Sequence, residues 1–139
     1  MKILILHGPN LNLLGKREIE IYGSESQDDL FQYIKNTFLD IDFTLFQSNH
    51  EGHIIDKIHD SDGIFDAIVF NPGAFSHYSY AIRDAVASVK IPIVEVHLSD
   101  VKNREDFRKR LVISDACLFT IIGKGKLGYI ESINKLQEK

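Results

Sequence analysis

The chain has 139 residues, 44% hydrophobic and 26% charged, a balance that fits one globular domain over 1–139 with a core of its own. A net charge of −4 argues against nucleic-acid binding, because phosphate affinity rests on clustered Lys and Arg. A single cysteine, Cys117, excludes an internal disulfide framework, and no apolar run or signal-like pattern points to a membrane, so a cytoplasmic protein is expected.

Residues 2–7 (KILILH) read as a continuously apolar strand, the kind buried on both faces of a parallel sheet. From Gly8 to Gly23 neither helical nor strand periodicity continues. A stretch of that length in a short chain is a lid, a binding loop or a linker, and its Gly-Pro-Asn turn, Arg17 and terminal Tyr22-Gly23 favour a lid whose moving part is about 13–23. Ser26 with Asp29 resembles a capping arrangement ahead of a helix carrying Leu30, Tyr33, Ile34 and Phe38. Residues 42–48 form a second strand, and Ile54, Ile55 and Ile58 mark a helix starting near Glu51. A third strand covers 66–71, followed by Tyr78, Ala81, Ile82, Ala85, Val86 and Val89 at helical spacing. Pro92 opens a fourth strand through His97, a short charged helix is expected over 103–110, and Cys117 lies in a fifth strand over 117–122. Leu127, Ile130, Ile133 and Leu136 carry the last helix.

Five strands alternating with helices imply an α/β doubly wound five-stranded parallel sheet, in the order 2-1-3-4-5. That order places a ligand crevice at the carboxyl ends of strands 1 and 3. Strand 1 ends in His7-Gly8-Pro9-Asn10, strand 3 in Asn71 through His77, and strand 4 in Glu95 through Ser99, so amide donors, imidazoles and a hydroxyl gather at one end. Arg104 and Arg108 are expected on one helical face nearby, with Arg17 and Tyr22 descending from the lid. Taken singly, each has an ordinary structural reading: Asn-Pro-Gly is first of all a turn, and a histidine at a strand end is commonly a satisfied imidazole. Together they suit a small polar anion, with Tyr22 as a base, Arg17 as its activating cation, His97 as an acid and Glu95 as its partner. The His50-Glu51-Gly52-His53 run lacks the spacing of a zinc helix, and there is no Walker loop or G-x-G-x-x-G, so no metal or cofactor is expected.

The ordered blocks GPNLNLLGKRE, IYG, QSNHEG, NPGAFSHYSYAIRDA, PIVEVHLS and NREDFR resemble type II 3-dehydroquinate dehydratases over essentially the whole chain. The resemblance implies a flavodoxin-like fold, a homododecamer built from trimers, and reversible dehydration of 3-dehydroquinate without metal, flavin or Schiff base. It implies Tyr22 as the base, Arg17 as the lid cation that favours its phenolate, Asn10 as the residue holding a water against the enolate, and His97 as the acid oriented by Glu95. It assigns the substrate carboxylate to Asn71, Leu98 and Ser99, ring hydroxyls to His77 and Arg108, a contact from a neighbouring subunit to Asp84, and support of the lid to Arg104. The chain departs from the family pattern at Ile19, where proline is usual, at Asp100, and over 109–115.

Overall fold

In the computed structural model, which describes residues 1–138, Ile3, Leu4, Ile5 and Leu6 are all fully buried. Consecutive apolar residues can all be buried only where both faces of a strand are covered. β1 (Lys2–His7) accordingly lies between β2 (Asp42–Gln47) and β3 (Ala67–Asn71), parallel to both. β4 (Ile93–His97) pairs with β3, and β5 (Thr120–Ile122) with β4, giving the expected order β2-β1-β3-β4-β5.

Beyond β1 the stretch expected as a lid has more structure than its sequence suggests: a 3₁₀ turn at Leu11–Leu13 and one helical turn, α1 (Ile19–Tyr22). α2 (Gln27–Thr37) starts at a complete capping box, in which Ser26 Oγ accepts from the Asp29 amide and Asp29 Oδ2 accepts from the Ser26 amide. α3 (Glu51–Ser61) and α4 (Tyr80–Ser88) follow β2 and β3, and α5 (Leu127–Gln137) follows β5. Leu30 and Ile34 of α2 and Tyr129, Ile133 and Leu136 of α5 share one cluster with Ile3, Ile5, Val69 and Val94. Ile54, Ile58, Ile82 and Val86 of α3 and α4 share the other with Leu4, Leu6, Ile68 and Phe70. Each fully buried Leu or Ile contributes about 1.5–3 kcal/mol, so these layers outweigh exposed ion pairs such as Lys109–Asp106, worth at most about 1 kcal/mol each.

The connection from β4 to β5 differs from expectation. No helix spans 103–110; the segment is built from 3₁₀ turns at Val101–Asn103, Asp106–Lys109 and Ser114–Ala116. Between 101 and 110 only Val101 is buried, so no apolar stripe faces the sheet, and a short helix without such packing is not sustained in water. Arg104 and Arg108 therefore do not share a helical face. Cys117 precedes β5 and lies outside it, half-buried beside the α4 layer, where burial pushes its thiol pKa up. The ladder nevertheless reaches back past β5 itself, through Leu118 N to Ile93 O and Glu95 N to Phe119 O. Tyr78, expected at the start of a helix, is exposed ahead of α4.

The sheet changes direction between β1 and β3, and there the backbones touch. The Gly8 amide donates to Asn71 O at 2.8 Å, and a Cβ on Gly8 would stand 2.2 Å from Pro72 O, a gap only glycine can occupy. This approach forms the floor of a crevice at the carboxyl ends of the strands.

Candidate active site

The floor is held from β2. Asn10 is the only non-glycine residue with positive φ among the described residues, at 69°. Asparagine tolerates that conformation, and the turn is pinned because the Asn10 amide donates to Asn49 Oδ1 at 3.0 Å. Gln47 Nε2 in turn donates to Gly8 O and to Asn49 Oδ1, each at 3.1 Å. The QSN segment thus sets the geometry of the Gly-Pro-Asn turn.

Glu95 and His97 alternate to the same side of β4, as their spacing predicts. Glu95 is fully buried, and His97 Nε2 donates to its Oε2 at 2.5 Å. The other carboxylate oxygen accepts from Ser114 at 2.5 Å and Thr120 at 3.4 Å. A buried carboxylate satisfied in this way can fix the imidazole and balance its charge when it is protonated, leaving Nδ1 as the nitrogen free for chemistry. Just beyond, the Leu98 and Ser99 amides donate to no group among the described residues, so two backbone donors remain for an anion.

Tyr22 is flanked by two guanidinium groups. Arg104 Nη1 donates to its hydroxyl at 2.6 Å and reaches Ser99 Oγ at 3.3 Å, while Arg17 stacks with Cζ 3.8 Å from the ring centroid. The hydroxyl oxygen thus accepts a charge-assisted hydrogen bond from Arg104. Arg104 Nε is buried without a hydrogen-bond partner, a donor held at the site without protein satisfaction. His77 donates from Nδ1 to Arg110 O at 2.9 Å, and burial, reinforced by nearby positive charge from His97 and Arg108, holds its pKa below the ordinary value. A neutral His77 keeps Nε2 as an acceptor.

A single polar pocket is lined by Asn10, Arg17, Tyr22, Asn71, His77, His97, Leu98, Ser99, Arg104 and Arg108. A larger apolar cavity of about 270 Å³ shares Tyr22 and Leu98, but its other charged lining groups are Glu25 and Lys126, which pair with each other at 2.9 Å. The unpaired polar side chains therefore gather in the polar pocket. Among the described residues no three His, Cys, Asp or Glu side chains are placed to hold a metal ion.

Residues 1–137 match the family described as dehydroquinase class II. The chain belongs to that family. A 3-dehydroquinate dehydratase of Thermotoga petrophila is 49% identical, over 100% of this chain and 96% of the relative, and one from Bacillus licheniformis is 53% identical, over 91% and 89%. The crystal structure of type II dehydroquinase from Butyrivibrio crossotus superposes with a TM-score of 0.95 at 50% identity, covering 99% of this chain and 97% of that one. The fold of this chain is thus the flavodoxin-like α/β sheet.

Of the residues singled out in the sequence, all but two line the pocket; Glu95 stands behind His97, and Asp84 is exposed on α4, where it pairs with Arg83 at 3.6 Å. Both cations reach Tyr22, by different contacts: Arg104, expected to support the lid, donates to the hydroxyl, and Arg17 stacks on the ring face. Gln47 and Asn49 join the site through the turn they hold. Their presence in an ordered block was the one signal, since nothing in local periodicity links them to Asn10.

Proposed function

We propose that this protein reversibly dehydrates 3-dehydroquinate to 3-dehydroshikimate in the shikimate pathway, by anti elimination through an enolate. The reading is carried by one observation: a tyrosine hydroxyl held by a guanidinium at 2.6 Å shares a pocket with a histidine backed at 2.5 Å by a buried carboxylate. Such a pair suits a reaction in which one group removes a proton and another delivers one.

In this mechanism Tyr22, as phenolate, takes the C2 proton next to the ketone. Arg104 and Arg17 stabilise the phenolate, Arg104 by direct hydrogen bond and Arg17 through the ring. Charge moves to the ketone oxygen, where Asn10 holds a water as donor to the enolate. The C1–O bond then breaks as His97 protonates the departing hydroxyl, releasing water, with Glu95 stabilising the imidazolium beforehand. Tyr22 ends with a proton and His97 without one, and exchange with solvent resets both. Asn71 and the Leu98 and Ser99 amides, with the Ser99 hydroxyl, bind the carboxylate. His77 accepts from a ring hydroxyl and Arg108 contacts another. No step draws on a metal, flavin or Schiff base. We further propose that the lid of about 13–23 closes over this single catalytic domain in a cytoplasmic homododecamer of trimers, with the exposed Asp84 serving a neighbouring subunit's pocket.

Mixing the protein with 3-dehydroquinate should produce the absorbance of a conjugated enone. Tyr22→Phe should lose most of kcat while still binding product. Near-normal turnover by Tyr22→Phe would end the assignment of the base, and tight binding by the wild type with no enone signal would indicate a non-catalytic binding module instead.

A further inference from the structure

His7, at the end of β1, is wholly buried and bonded through both ring nitrogens, to Gln27 Oε1 at 2.7 Å through Nδ1 and to the Tyr129 hydroxyl at 2.9 Å through Nε2. Tyr129, also fully buried, accepts from Asn71 Nδ2 at 3.1 Å, and Asn71 Oδ1 accepts from the Gly73 amide at 3.1 Å. None of His7, Tyr129 and Gln27 lines the pocket, whereas Asn71 does.

The direction of every link follows from the Gly73 end. A backbone amide can only donate, so the carbonyl oxygen of Asn71 must face it and Nδ2 must face Tyr129. Nδ2 also only donates, so the Tyr129 oxygen accepts there and its one proton goes to His7 Nε2. With Nε2 accepting, the ring proton sits on Nδ1 and is given to Gln27 Oε1. Reversing Asn71 would set its two amide hydrogens against the Gly73 N–H, which costs a buried hydrogen bond and adds a repulsion. The burial that pulls His7 from 6.5 to about 4 keeps the ring neutral, as this arrangement requires.

We propose that the buried relay Gln27–His7–Tyr129–Asn71 is a positioning device that locks the Asn71 amide with its second Nδ2 hydrogen offered to the pocket as a donor for the substrate carboxylate. His7 and Tyr129 are then positioning residues that set substrate affinity without touching substrate. The inference rests on the reading of Asn71 as a carboxylate contact.

The test is a double-mutant cycle read in KM, which is insensitive to the fraction of folded enzyme. Asn71→Ala should raise KM for 3-dehydroquinate about tenfold or more, the scale of a hydrogen bond to a charged group. Tyr129→Phe keeps the ring but removes the hydroxyl, and should raise KM several-fold more than it lowers kcat. The double variant should match Asn71→Ala alone, because Tyr129 acts only through Asn71. His7→Leu should behave like Tyr129→Phe, and His7→Gln, whose terminal oxygen can accept from Tyr129, should recover most of the loss. If Asn71→Ala raises KM but Tyr129→Phe and His7→Leu do not, or if the Asn71 and Tyr129 effects multiply, the relay is overturned. If Asn71→Ala itself leaves KM unchanged, the carboxylate reading fails and takes the relay's role with it.

Discussion

Replacing Arg104 with Gln removes the charge beside the Tyr22 hydroxyl and, because the Gln amide ends two bonds short of Nη1, the direct hydrogen bond with it. Unit charges about 4 Å apart interact by about 4 kcal/mol at an effective dielectric near 20. The Arg104 side chain is 13% exposed, which trims the effect to about 3 kcal/mol, or roughly a hundredfold in rate. Arg17 meets the ring face 3.8 Å from its centroid, a contact worth about 0.5–2 kcal/mol, so Arg17→Gln should cost roughly thirtyfold at most. Steady-state kinetics from pH 5 to about 10 would measure both effects. If Arg104→Gln keeps more than half of wild-type kcat, or if Arg17→Gln is the more damaging change, then the direct hydrogen bond is not what activates Tyr22.

Two further outcomes are expected. Burial lowers the His7 pKa from 6.5 to about 4, so the unfolded chain takes up that proton first as pH falls. Stability should be complete above about 6.5 and decline towards pH 4 by about 3 kcal/mol. Denaturant midpoints across this window should fall further in wild type than in His7→Gln, which retains only the smaller contribution of the other lowered histidine, His77; parallel curves would contradict it. Ile19 is the first residue of α1, its amide donates to nothing among the described residues, and Glu18 before it has ψ 92°, outside the helical region. Ile19→Pro should therefore fit without losing a bond and stabilise the ordered lid by about 0.4–1 kcal/mol, slowing limited proteolysis within 13–23. Faster cleavage there would show that the turn requires the freedom proline removes.

Much of the fold was legible because its signals are local. The unbroken apolar run in β1 declares burial on both faces, Ser26 and Asp29 declare the start of α2, and the spacing of Ile82, Ala85 and Val86 declares the stripe by which α4 meets the sheet. Alternation of these elements then left little choice of strand order. The helix expected over 103–110 is absent because charged residues with good helix propensity carry no information about whether an apolar surface is available to support a helix. With 3₁₀ turns in its place, Arg104 and Arg108 reach the pocket from separate turns.

By itself, the sequence determined which residues stand at the carboxyl ends of the strands, since each is bound covalently to a strand whose pattern is unambiguous. Glu95 and His97 are the clearest case: two residues apart on one strand, they must share a side, and they do. Only the tertiary structure decided which cation holds the Tyr22 hydroxyl, that Asn49 pins the turn at Asn10, and that Tyr129 joins His7 to Asn71. Arg104 lies 82 positions from Tyr22, and Tyr129 lies 122 from His7. Contacts across such separations leave no periodicity in the chain; they arise from how helices, turns and lid pack on the sheet, which is set by the sum of many buried contacts and not by the spacing of any one pair.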